Sequence, residues 1–145
     1  EFSQKLFEKG ILVQGIRRGL LASSATKVYV CNVATQHGET DGFGVADHVN
    51  AIESHVGKGF LHFVLANDHV FEPIPHAEQS HAVRVDAGIN NGIRLIATDV
   101  VSEENPYHHD STKLAESLMR IYYERDQAGL SLEEPEDNLV SALDQ

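Results

Sequence analysis

The segment Lys27–Gly57, KVYVCNVATQHGETDGFGVADHVNAIESHVG, decides the fold. Val28, Tyr29, Val30, Cys31, Asn32 and Val33 form a β-branched and aromatic run of the length of one buried strand, too short for a helix. Ala34–Gly44 is polar and punctuated by glycine, the chemistry of a loop. Val45, Ala46, Val49, Ile52 and Val56 then recur at helical spacing and define one apolar face. Asp47 falls in the first turn, where a carboxylate meets the positive end of the helix dipole. Gly57 follows the last periodic residue and can close the helix. Strand, loop, helix is half of a β–α–β unit. In open parallel sheets, ligands bind where such loops leave the carboxyl ends of the strands.

Upstream, Ser3–Ala22 reads as a helix capped by Ser3, with an apolar stripe through Leu6, Phe7, Ile11, Leu12, Ile16, Leu20 and Leu21. Glycines at positions 10, 15 and 19 weaken it. Arg17-Arg18 reads as a solvated face, with a phosphate contact as the alternative. Downstream, Phe60–Asn67 is apolar without alternation, which predicts a central strand parallel to the first. Pro73 and Pro75 exclude regular structure from His69–Ser80. Ala82–Val85 and Gly92–Ala97 read as short strands joined by the turn chemistry of Asp86–Asn91, and Thr98–Tyr107 as a loop. Asp110–Gly129 is a helix: Asp110 caps it, Leu114, Leu118, Ile121 and Tyr122 form its apolar face, Glu116 pairs with Arg120, and Gly129 ends it. Leu130–Gln145 carries Glu133, Glu134, Glu136, Asp137 and Asp144 around Pro135 and reads as a mobile acidic tail or an added short helix near Leu139. The expectation is an α/β domain with a mostly parallel sheet over residues 1–129, followed by the tail at 130–145.

At 145 residues and 41% hydrophobic, the chain suits one globular core. A formal charge of −11 argues against nucleic acid and anionic membrane surfaces as partners, and against a phosphate clamp in this stretch. Cys31 is the single cysteine, which excludes an internal disulfide and fits a reducing cytoplasm. It reads as a small buried hydrophobe on an interior strand. No run of about 18 apolar residues is present.

Asn32-Val33-Ala34-Thr35-Gln36-His37-Gly38-Glu39-Thr40-Asp41-Gly42 followed by Asp47-His48-Val49 resembles the signature of the YvcK-like gluconeogenesis factors, a family grouped with the CofD phospholactate transferases. Weaker likeness runs through Gly15-Ile16-Arg17, His109-Asp110 and Lys113-Leu114-Ala115. The sequence departs from the family pattern at His37, at Phe43, and at His108 where Arg is usual. The resemblance implies a Rossmann-like three-layer α/β sandwich and covers the C-terminal portion of a full-length member; the family's Gly-rich phosphate loop is not in this stretch. It further implies a cytoplasmic regulator of central carbon metabolism and cell-envelope growth that binds a UDP-sugar such as UDP-N-acetylglucosamine without established catalysis, and admits a homodimer. The alternative it leaves is a CofD-like transferase moving a phosphate-bearing group from a nucleotide donor with Mg²⁺.

The ligand-facing residues so implied are Asn32, Thr35, Gln36, Gly38, Glu39, Thr40, Asp41, Gly42, His109 and Asp110. By spacing alone the loop is equally a solvated turn. Glu39 and Asp41 can accept from sugar hydroxyls, hold a cation or act as a base. Nine histidines, with the doublets Asp47-His48 and Asp68-His69 and the triplet His108-His109-Asp110, raise a third reading, a metal hydrolase, but none has the spacing of two ligands on one helix face.

Overall fold

The computed structural model describes residues 14–70, 79–86, 88–89 and 92–125. The order is α1 (Gln14–Ala22), β1 (Val28–Val30), α2 (Val45–Val56), β2 (Phe63–Asn67), β3 (Arg94–Thr98) and α3 (Ser111–Glu124). The strands form one parallel sheet in the order β1-β2-β3. Val28 pairs with Phe63, and Phe63 with Arg94.

The pleat sorts side chains between two helical layers. Val64 and Ala66 of β2, with Cys31, Leu61 and Val83, pack on Val45 and Val49 of α2. Phe63 and Leu65 face the other way, onto Val100 and Ile121, with Leu114 and Leu118 of α3 beside them. Each flanking strand obeys the same alternation: Tyr29 and Leu95 join the α2 side, Val28, Val30 and Ile96 the α3 side. The result is a three-layer α/β/α arrangement in which every residue of β2 is buried.

Both principal helices begin and end through local chemistry. Gly44 N–H donates to Asp47 Oδ2 at 2.9 Å, and Gly57 N–H closes α2 on the Glu53 carbonyl at 2.9 Å. Asp110 Oδ1 accepts from the amides of Thr112 and Lys113, both at 2.9 Å, and caps α3. Arg120 approaches Glu124 at 3.9 Å rather than Glu116, and Tyr122 is half-exposed rather than part of the apolar face.

Among the described residues β1 is flanked by β2 alone. Cys31 is nonetheless 1% exposed, because it extends past the strand's end under α2 and Val83 while its N–H continues the ladder to Leu65 O at 2.9 Å. One strand assignment needs correction: Ala82–Val85 is no strand. Ala82 makes one antiparallel bridge to Ala34, and the segment then turns to the start of α2, where the Arg84 carbonyl accepts from Val45 N–H. The expected helix over residues 3–13, the proline connection at 73 and 75, Gly129 and the acidic tail lie outside the described residues.

At the amino end of the sheet, Lys27 N–H donates to His62 Nδ1 at 2.9 Å, while His62 N–H donates to Lys27 O at 3.0 Å. A backbone amide can only donate, so the ring is neutral there. Burial, and then the Lys27 charge, hold its pKa below the usual value near 6.5. The unfolded chain therefore takes up this proton first as pH falls, and the tie's contribution is intact above about pH 6.5 and lost as pH drops through the lowered native value. We expect stability from urea titrations to fall below pH 6.5 in wild type and to flatten in His62→Gln; an identical pH dependence in both would assign it elsewhere. Burial also pushes the Cys31 thiol up to about 12. It should resist an aromatic disulfide reagent at pH 8 without denaturant; rapid labelling would contradict the packing described.

Candidate functional site

The loop that leaves β1 is built from inside by its own polar residues. Thr35 and Thr40 are 3% and 1% exposed. Thr35 Oγ1 accepts from His81 N–H at 2.8 Å, and Thr35 N–H donates back to His81 O at 2.7 Å. Thr40 Oγ1 accepts from Gln36 N–H at 2.8 Å, while the amides of Glu39 and Thr40 both donate to Gln36 O, at 3.0 and 2.9 Å. Asp41 Oδ2 accepts from Gly38 N–H at 2.7 Å, and its Oδ1 lies 3.2 Å from His37 Nδ1. The Gly38 amide, and then His37, hold this exposed carboxyl below the usual carboxylate range. Gly38 and Gly42 have φ of 76° and 73°, the left-handed region that a side chain would strain.

The loop runs into α2, whose first amides are also taken. Besides the Gly44–Asp47 bond, Ala46 N–H donates to Asp86 Oδ1 at 2.9 Å. A Cβ at Gly44 would collide with Asp86 Oδ2, so glycine is required by the close approach of that carboxylate. His48 is fully buried, with Phe43 edge-on to it at a ring distance of 5.3 Å. Asp47 and His48 thus turn apart, one to the helix start and the other to the interior. Among the described residues no three His, Cys, Asp or Glu converge as metal ligands.

The rest of the rim comes from the ends of β2 and β3 and the start of α3. Asn67, 4% exposed, accepts through Oδ1 from Val100 N–H at 3.1 Å and donates through Nδ2 to His69 O. Asp110 N–H donates to Val100 O at 2.9 Å. His109 Nε2 donates to Cys31 O at 3.0 Å. Lys113 Nζ lies 2.8 Å from Asp99 Oδ2 and 3.2 Å from Val101 O; this contact lowers the Asp99 pKa and raises that of Lys113.

Of the residues singled out in the sequence, the fold brings Asn32, the loop and His109 to one rim. It gives several of them internal work: Thr35 and Thr40 brace the loop, Asp41 ties its turn, and Asp110 caps α3. Asn32 and Glu39 are half-buried there, and Gln36 is exposed. Sequence reasoning missed Asn67, His81 and Asp86. Their partners are 33, 46 and 40 residues away, and no local pattern marks them. Thr40→Val should cost about 1–3 kcal/mol by stranding the Gln36 amide, and Gln36→Ala about 0.5 kcal/mol or less. Urea denaturation of the two variants checks the order.

Comparison with known proteins adds the wider context. The profile of the family described as 2-phospho-L-lactate transferase CofD matches residues 10–101. The gluconeogenesis factor of Bacillus subtilis is 36% identical over 124 residues, 79% of this chain and 38% of that protein. That of Listeria innocua is 33% identical over 117 residues, covering 77% and 36%. A crystal structure of a UPF0052-family protein from Bacillus halodurans superposes with a TM-score of 0.67 at 32% identity, over 75% of this chain and 37% of the other. The chain therefore spans between 26% and 38% of the length of the curated relatives it matches. With the profile matching well over half of its length and the same parallel sheet in the solved relative, this chain belongs to the CofD family.

Proposed function

We propose that this chain supplies the sugar-facing side of a UDP-sugar site in a regulatory protein of the gluconeogenesis-factor type, acting on central carbon metabolism and cell-envelope growth, and that it binds its ligand rather than transforming it. The observation that carries this reading is the start of α2. A helix N-terminus beyond a parallel strand is the usual seat of a ligand phosphate. Here the amides of Gly44, Val45 and Ala46 are already engaged, by Asp47, the Arg84 carbonyl and Asp86 respectively. Beside it lies a braced loop bordered by Asn32, Gln36 and Glu39, whose amide and carboxylate groups are of the kind that exchange hydrogen bonds with hydroxyls. Relatives named gluconeogenesis factor support the regulatory assignment.

The family description favours a second reading, a transferase using Mg²⁺. The loop does not fit a cation. Both Asp41 oxygens are engaged, one with the Gly38 amide and one with His37, which leaves Glu39 without a second carboxylate in the loop.

The test is an NMR titration of the 145-residue chain with UDP-N-acetylglucosamine, N-acetylglucosamine and UMP. Both sugar-bearing ligands should move the amide signals of Gly38–Gly42 with dissociation constants near 1 mM, about −4 kcal/mol. UMP should not. Glu39→Gln should weaken the sugar response several-fold with the fold intact. Loop shifts from UMP alone, or none at saturating sugar nucleotide, would overturn the proposal.

A further inference from the structure

The carboxyl ends of the strands are joined by a run of contacts between segments far apart in sequence. His109 Nε2 donates to the carbonyl of Cys31, at the root of the loop. The next residue, Asp110, donates its N–H to Val100 O, and Val100 N–H donates to Asn67 Oδ1. Asn67 Nδ2 completes the run on His69 O. Each member has one geometry. A carbonyl can only accept, so His109 carries its proton on Nε2; the Asn67 amide faces a donor with its oxygen and an acceptor with its nitrogen, so neither Asp nor Leu can replace it. Val101 and His109 are also bridged antiparallel, which fixes the loop that presents the imidazole.

We infer that His109 and Asn67 are positioning residues: they form a clasp across the carboxyl rim that sets the conformation of the Gln36–Gly42 loop from the segment just before the α3 cap. His109 is the only side chain of the run that reaches the β1 end. Through Cys31 O it fixes the peptide before Asn32, where the chain leaves the sheet. The loop's internal bonds, Gly38 to Asp41 and Thr40 to Gln36, hold its shape, and the clasp holds its root. The functional meaning of the clasp rests on the reading of this loop as the ligand face. The clasp itself does not, and it is tested without ligand.

The experiment is amide hydrogen exchange by NMR on the full 145-residue chain, read as the ratio of exchange at Gly38 and Thr40 to exchange at Val64 in β2. His109→Phe keeps a ring of similar size and removes the donor. It should raise the ratio about tenfold. His109→Gln restores an N–H at similar reach and should return the ratio to within about threefold of wild type. Asn67→Leu, which breaks the run at its other end, should raise it in the same direction. Taking a ratio keeps a rise decisive where a variant is globally destabilised, because global opening speeds exchange at buried Val64 at least as much as in the loop and cannot by itself raise the ratio. An unchanged ratio in His109→Phe and Asn67→Leu, or a raised ratio that His109→Gln does not rescue, overturns the inference.

Discussion

A five-residue strand buried on both faces and both edges is the constraint from which the rest follows. Phe63–Asn67 lies wholly out of solvent. Its backbone amides and carbonyls must then be paired on each side, because a buried unpaired backbone group costs about as much as a lost hydrogen bond. β1 and β3 meet that demand, and both being parallel, each must return through a crossover. The crossover from β1 is α2, which covers the Val64 and Ala66 face; α3 covers the Phe63 and Leu65 face. The strand ends at a polar residue for the same reason. Asn67 is the last position that can be buried with a polar side chain, because Val100 N–H and His69 O lie within reach of both ends of its amide.

The same economy governs the rim. Polar residues there hold backbone that leaves the sheet. Thr35 and Thr40 lie as deep as the aliphatic core, which is tolerable because each hydroxyl accepts from a main-chain amide. Asp41 and Asp110 play corresponding roles at a turn and at a helix start. A loop braced this way loses less entropy on binding than a free one, since its backbone is ordered before the ligand arrives.

The central strand, both principal helices, the first-turn carboxylate of Asp47 and the cap at Asp110 were legible in the sequence because they rest on local information: periodicity, and a polar side chain close in sequence to the helix start. The region after β2 was not. Ala82-Val83-Arg84-Val85 alternates like a strand, yet one face of it is consumed by Val83 entering the α2 core and its carbonyls are drawn to the start of α2. Tertiary contact overrode pattern there. The burial of Thr35 and Thr40 was illegible for a related reason. A threonine in a polar, glycine-rich stretch looks solvated until its nonlocal partner is known, and for Thr35 that partner is His81. The loop was correctly placed at the strand's carboxyl end; which of its residues face outward could be read only from the fold.

The distribution of charge about α2 then narrows what the rim can hold. A helix N-terminus stabilises one nearby carboxylate by about 0.3–1 kcal/mol, and here Asp47 and Asp86 share that field. A further anion about 5 Å from either would meet a repulsion of about 3 kcal/mol at an effective dielectric of about 20, more than the dipole returns. Lys113 offers little relief, because Asp99 lies 2.8 Å from its ammonium. A net charge of −11 adds to the penalty at long range. A neutral, hydroxyl-rich group escapes all of this. It exchanges hydrogen bonds with amides and carboxamides, and a carboxylate such as Glu39 strengthens rather than opposes its binding. The electrostatics of this rim therefore favour a neutral, hydroxyl-bearing group over a phosphate.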